Sequence, residues 1–379
     1  MQMSAYENRC IGGIFGSDIG YLMRRITLTD VAKEAGVHHS TVSRALKHHP
    51  GIPEKTREKI MSVVRRLKYV PDPLLSALAA YKNAQRPVGF LANLGWLTNF
   101  PTEEGWKKNP HFPFYYEGAK KRAAELGYGL DILWLPGILA TGKAPSQILR
   151  NRSVRGLLLA PQPVPNATLD LDWDEFSAVS FGFTLTQPSL HNVALDHFRS
   201  VQKLMRKLHG MGYRRPRLIL SLKSDQRVSS AWSAGFAGSL RQLELIPSDP
   251  IFLTSGDFSD FVAAVKKSKP DVVLTTRGWA TLARQQLPTA GLRVPEDIGL
   301  AAVNFAACDK GQGGIHEDGH LLGRHAVELL TAMLQRGEKG VPENVKHLIT
   351  EGEFATGITL KNLPVDRTAG STVPAKHLI

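Results

Sequence analysis

Cysteine is almost absent. Cys10 and Cys308 are the only two in 379 residues, far apart in the chain, so neither a disulfide framework nor a cysteine metal site is indicated, and a reducing compartment fits. Long apolar runs are absent as well. Uninterrupted stretches are as short as Gly156–Pro161 (GLLLAP), against the ~20 residues that a membrane-spanning helix needs. No glycine-rich phosphate loop with its lysine, no nucleophile elbow and no metal-ligand cluster occurs, so no catalytic residues, cofactor or metal are expected. The opening MQMSAYENRC lacks the basic start of a secretion signal, and no unbroken apolar run or small-residue cleavage site follows it. Residues 1–22 are therefore read as an extension, disordered or not translated, with Met23 a plausible start, and a cytoplasmic location is expected.

Acidic residues are the scarce charge. The chain carries 47 Lys and Arg against 34 Asp and Glu, a formal +13. Much of that excess is local: Met23–Arg86 hold 13 basic residues against five acids, a net +8. Basic charge gathered in one small segment is the footprint expected for a polyanion, although charge alone equally fits a solvated surface. Otherwise the composition, 42% hydrophobic and 21% charged, is that of a globular protein, and at about 150 residues per domain the length predicts two to three domains.

The basic segment has helical punctuation. Thr27 precedes Leu28-Thr29-Asp30, a cap with an acid three positions on, and Val31, Ala32 and Ala35 line one helix face. Gly36 can take the left-handed conformation that stops the helix. A second helix runs from about His39 to Leu46 with Val42, Ala45 and Leu46 apolar, and a third covers Glu54–Leu67. Two short helices about a tight glycine turn make a helix-turn-helix, whose second helix enters the major groove. Its outward side chains are His39, Ser40, Ser43, Arg44 and Lys47. Adjacent residues on a helix face different ways, so the His38/His39 and His48/His49 pairs are read as groove or solvent groups rather than zinc ligands.

The run ITLTDVAKEAGVHHSTVSRAL, then KTREKI, then LKYVPDPLLSALA resembles, without a gap, the DNA-binding head of the LacI/GalR repressor family. That resemblance implies a head over residues 23–71 and a hinge helix and linker over 72–86. It places His39 and Ser40 at the main base-reading positions, Arg44 at a further groove-facing one, and Leu78 at the leucine that wedges into the minor groove. Thr27, Leu28, Thr41, Thr56 and Ala79 complete the candidate DNA-contacting set. His38 departs from the Ser or Thr usual as recognition-helix cap, and Pro53 from the usual Ser. Asp72 and Pro73 suit a helix start, and the apolar run after them suggests a hinge more preformed than in relatives.

From Arg86-Pro87 strands alternate with amphipathic helices, which predicts an α/β core of doubly wound parallel sheets beside the small all-α head. A length of about 275 residues suggests two such subdomains. This region is similar to the type I periplasmic-binding-protein core, and that likeness implies crossings near 213, 318 and 346. The subdomains become about 87–213 with 319–345 and about 214–318 with 346–362, and 363–379 is read as a tail. Ligands in such cores lie between the subdomains at the carboxyl ends of the strands. The candidate effector residues are Asn93, Trp96, Asp196, Trp232, Arg277, Asn304 and Glu317, with Trp96 and Trp232 equally open to a reading as core aromatics. Trp232, Thr276-Arg277 and Asn304 replace polar ligands usual in the family, which leaves a different effector or none.

The expected function is a homodimeric repressor on a double-stranded, pseudo-palindromic DNA operator, tuned by a small molecule (a carbohydrate or related metabolite) in the cleft. The alternatives are a repressor whose core only dimerises, a solute-binding protein, and an enzyme on the same core. An intact DNA head and the missing signals above weigh against the last two.

Overall fold

The computed structural model describes residues 26–46, 51–67, 69 and 91–364, in two compact units divided along the chain between residues 86 and 87. The extension 1–22, Lys47, the hinge 72–86 with Leu78 and Ala79, and the chain beyond 364 lie outside the described residues.

The head is built from α1 (Leu28–Ala35), α2 (His39–Leu46) and α3 (Glu54–Arg66). Its first helix starts on a complete capping box: the Asp30 amide donates to Thr27 Oγ1 at 3.3 Å, and the Thr27 amide donates to Asp30 Oδ2 at 2.9 Å. Gly36 ends it at φ 66° and ψ 37°, a conformation that costs any residue with a Cβ. Val31, Ala32, Ala35, Val42, Ala45, Ile60 and Val63 close the small core.

The larger unit contains two six-stranded sheets. In chain order its elements are β1 (Ala92–Thr98), α4 (Phe112–Glu125), β2 (Tyr128–Trp134), α5 (Leu135–Leu139), α6 (Pro145–Asn151) and β3 (Val154–Leu159). There follow β4 (Ala167–Thr168), β5 (Ser177–Phe181), β6 (Leu185–Gln187), β7 (His191–Leu195), α7 (His197–Gly210), β8 (Pro216–Ser221), α8 (Leu222–Gln226) and α9 (Ala231–Gln242). Then come β9 (Ile251–Leu253), α10 (Phe258–Ser268), β10 (Val272–Thr275), α11 (Arg277–Gln286) and β11 (Gly299–Phe305). The last are β12 (Gly313–His316), α12 (Gly319–Arg336), β13 (His347–Thr350) and β14 (Glu353–Ala355). The first sheet runs β13-β7-β5-β3-β1-β2 and the second β14-β12-β11-β10-β8-β9, with every pairing parallel except β14 on β12. β5, β7 and β10 are buried along their whole length, as parallel strands covered on both faces are.

Two of the three crossings differ from the sequence expectation. The first lies at Asp196 rather than near 213, because α7 buries Val201, Leu204, Met205 and Leu208 with Leu218, Leu220 and Phe236 of the second subdomain. The third follows Thr350 rather than preceding 346, because His347–Thr350 pair in register with Asn192–Leu195 of the first sheet. The tail also starts later than Leu363, whose amide donates to the Met211 carbonyl at 2.8 Å while its side chain packs on the second core. Short strands at sheet margins carry too little pattern to reveal this in advance.

One helix contact fixes α4 against the first sheet's covering helix. α4 and α12 approach backbone to backbone at Gly118 and Gly323. A Cβ on Gly118 would sit 2.2 Å from the His320 carbonyl oxygen, and one on Gly323 would sit 2.1 Å from that of Tyr115. Gly323→Ala would gain about 1 kcal/mol of helix propensity but overpack this contact by about 1–3 kcal/mol. We expect net destabilisation for Gly118→Ala and for Gly323→Ala, read as lowered urea midpoints; unchanged midpoints would show that the helices part without cost.

Candidate functional site

The head presents a polar helix face. Along α2, Val42 and Ala45 are buried while His39, Ser40 and Arg44 are exposed and Thr41 and Ser43 half-exposed. Thr27 is exposed and Leu28 and Thr56 are half-buried. His38 caps this helix with its ring: Nδ1 lies 2.7 Å from Ser40 Oγ and accepts the Ser40 amide at 3.4 Å. An imidazole thus stands where a hydroxyl is common, and it ties the cap to a side chain of the exposed face.

The larger unit contains a cleft of about 640 Å3 between its two subdomains. It opens at the carboxyl ends of the strands. Pro161 lies just beyond β3, Gly182 beyond β5, Ser224 beyond β8 and Thr276 beyond β10, and all four line it. Four sequence candidates meet there: Trp232, Arg277, Asn304 and Glu317. Three do not, and each has a structural reason. Asn93 lies at the amino end of β1, the end opposite the cleft. Trp96 is fully buried in the first core, with its ring 5.6 Å from Trp106, 5.5 Å from Tyr116 and 5.3 Å from Phe181. Asp196 caps α7, accepting the Arg199 amide at 2.9 Å.

Glu317 is the hub of the cleft. It follows β12 at the second crossing and is 2% exposed. Oε1 accepts the Tyr115 hydroxyl from α4, Oε2 accepts Asn304 Nδ2 from β11 at 3.0 Å, and His111 Nδ1 lies 3.5 Å from Oε1. One carboxylate therefore joins the two subdomains. Burial pushes its pKa up, but His111, His197 and the hydrogen bonds from Asn304 and Tyr115 outweigh that and hold it below the ordinary carboxyl range. Burial, with the carboxylate beside it, drives the Tyr115 phenol well above its usual range, so Tyr115 stays the donor.

A second tie is cationic. Arg227 donates from Nη1 to the carbonyls of Gln162 at 2.9 Å and Pro163 at 3.1 Å, across the cleft. Arg277 leads α11, and its Nε is paired with Asp309. His197, buried against Trp232 at 5.3 Å between ring centroids, has its pKa lowered to about 4 by burial. Its Nδ1 and Trp232 Nε1 make no hydrogen bond within the described protein. Sequence reasoning missed His111, Tyr115, His197 and Arg227. Among the described residues, no group of three or more His, Cys, Asp and Glu is placed to hold a metal, and no helix is long and apolar enough to cross a membrane.

A histidine whose folded pKa lies below its unfolded value stabilises the fold fully above the unfolded value, near 6.5, and progressively less as pH falls toward the folded one, near 4. Acidification from pH 7 to 5 should thus remove about 2 kcal/mol through His197. Urea titrations at both pH values check this, with His197→Asn flattening the dependence; an equal slope in that variant would contradict it.

Residues 27–72 match the model of bacterial regulatory proteins of the lacI family, and residues 205–352 that of a periplasmic-binding-protein-like domain. The sucrose operon repressor of Escherichia coli is 22% identical over 285 residues, covering 72% of this chain and 82% of that protein. The transcriptional repressor PurR of Aliivibrio salmonicida is 25% identical over 329 residues, covering 80% and 91%. The fold is shared with the cellobiose complex of the regulator CelR at a TM-score of 0.53, 18% identity and coverage of 88% and 100%. It is shared also with the Lac repressor dimer bound to operator and the anti-inducer ONPF, at 0.52, 20% identity and coverage of 89% and 99%.

Proposed function

This chain belongs to the lacI family of bacterial regulatory proteins, and from that premise we propose that it acts as a homodimeric repressor on a pseudo-palindromic operator, with a small molecule in the cleft setting its affinity for DNA. The head carries the reading. Its capped α2 buries Val42 and Ala45 and leaves His39, Ser40 and Arg44 outward, the division of labour a recognition helix needs in the major groove. Arg44 and Lys47 with Thr27, Leu28, Thr41, Ser43 and Thr56 supply phosphate and groove contacts, and His39 and Ser40 choose bases. Leu78, flanked by Ala79, wedges between base steps at the operator centre. Two heads on one dimer match two half-sites.

The cleft supplies control. A ligand that prefers one relation of the subdomains shifts the population toward it, and linkage makes operator and ligand affinities change by one common factor. A sugar or related metabolite fits the volume. The second reading, a repressor whose core only dimerises, is favoured by the clasp of Arg227 on Gln162 and Pro163, which joins the subdomains through protein atoms alone. A thermal-shift screen separates the two, because a ligand at 100 times its Kd adds about 2.7 kcal/mol to stability.

Selection from a random duplex pool tests the main reading. We expect an enriched palindrome with a deformable centre and weaker binding by Leu78→Ala. Binding with no enriched sequence, equally strong in the variant, would reduce the head to a phosphate-gripping domain. On the selected site, His38→Ala should destabilise the recognition helix by about 1 kcal/mol and His38→Ser restore it, measured as operator Kd at fixed salt.

A further inference from the structure

The charged groups of the cleft are unequally divided between cations and acids. Among the described residues that line it, Glu317 is the only carboxylate, and each of its oxygens already accepts one hydrogen bond, from Tyr115 and from Asn304. Against that single acid stand Lys108, Arg227 and Arg277. Trp232 is 5% exposed, and its indole N–H, which can only donate, has no acceptor in the described protein. The ten-residue helix α11 points its amino end here: Thr276 makes no side-chain cap, no acid lies in the first turn, and Gly278 leaves open space beside it. The uncapped first-turn amides carry the positive end of the helix dipole.

These features select against a neutral polyol. A sugar hydroxyl carries no charge to set against Lys108, Arg227 and Arg277, and each oxygen of the single cleft carboxylate already accepts one hydrogen bond from the protein. An anion only accepts. We propose that the cleft takes a small organic anion, its charged group met by Arg277 and the amino end of α11 and its body held against Trp232. The inference rests on reading the cleft as the effector site. Asp309 engages Arg277 only through Nε, and Nη1 makes no hydrogen bond within the described protein. Glu317 repels an anion less than an open carboxylate would, since Tyr115 and Asn304 donate to it and His111 lies beside it. A buried indole N–H left without a partner is unfavourable, and a ligand oxygen would satisfy it. Carboxylate and phosphate share this chemistry.

The test is isothermal titration of the full chain with matched probes: glucose, glucuronate and glucose 6-phosphate, then benzamide and benzoate. Operator binding is measured in parallel on a selected site. The expected result is an acid that binds at least tenfold more tightly than its neutral partner, with the preference reduced tenfold or more in Arg277→Gln and largely kept in Arg277→Lys. Glucuronate or benzoate leading identifies a carboxylate, and glucose 6-phosphate a phosphate. A neutral partner that binds as tightly as its acid, or a panel in which no acid binds below millimolar Kd, overturns the proposal. Either failure beside intact operator recognition leaves the repressor reading standing, whereas loss of sequence selection defeats that reading on its own terms.

Discussion

A carboxylate removed from water must be satisfied by its surroundings, and Glu317 is satisfied from both subdomains. Its partners come from α4 on one side and β11 on the other, while the residue itself sits just past β12, where the chain crosses between them. Removing a single partner of a buried charge is far more costly than losing an exposed ion pair. The relation of the two sheets is therefore held at discrete ties, of which this is the buried one. The glycine contact of α4 with α12 belongs to the same constraint, because it fixes the helix from which Tyr115 reaches across.

That arrangement makes the cleft suited to regulation. Cores repack between discrete states rather than deforming continuously, so ties placed at a crossing and across the opening turn small ligand contacts into a choice of state. Arg227 supplies the second tie from α8's end to the loop after β3. Its partners are backbone carbonyls, so the tie depends on where that loop lies and not on its side chains. Around the cleft the charged groups are mainly cationic, Lys108, Arg227 and Arg277 against Glu317, which gives the site a chemical preference as well as a shape.

How much the sequence reveals depends on the range of the interactions involved. Thr27, Asp30 and Gly36 act within a few residues of themselves, so the first helix could be drawn from the sequence, and α10 over Phe258–Ser268 likewise. Parallel strands announced themselves as apolar runs. The cleft was only half visible. Trp96 and Trp232 look alike in one dimension; only folding puts the first among Trp106, Tyr116 and Phe181 and the second beside His197. Asp196 carried a local clue that was available, an Asp directly before a helical pattern, and the structure uses it as a cap. Tyr115 and Glu317 are 202 residues apart, and Arg227 reaches a loop 65 residues upstream, so no spacing could have paired them.

We propose that the state of the core, held at Glu317, sets the grip of the head on DNA. Operator affinity of Tyr115→Phe against the wild type, at one salt concentration, tests it most directly. That substitution removes one hydroxyl from the cleft and none from the head. A change in operator Kd of about fivefold or more is expected, the usual scale of coupling between sites. An identical Kd in a folded variant would contradict it and leave the head to act alone.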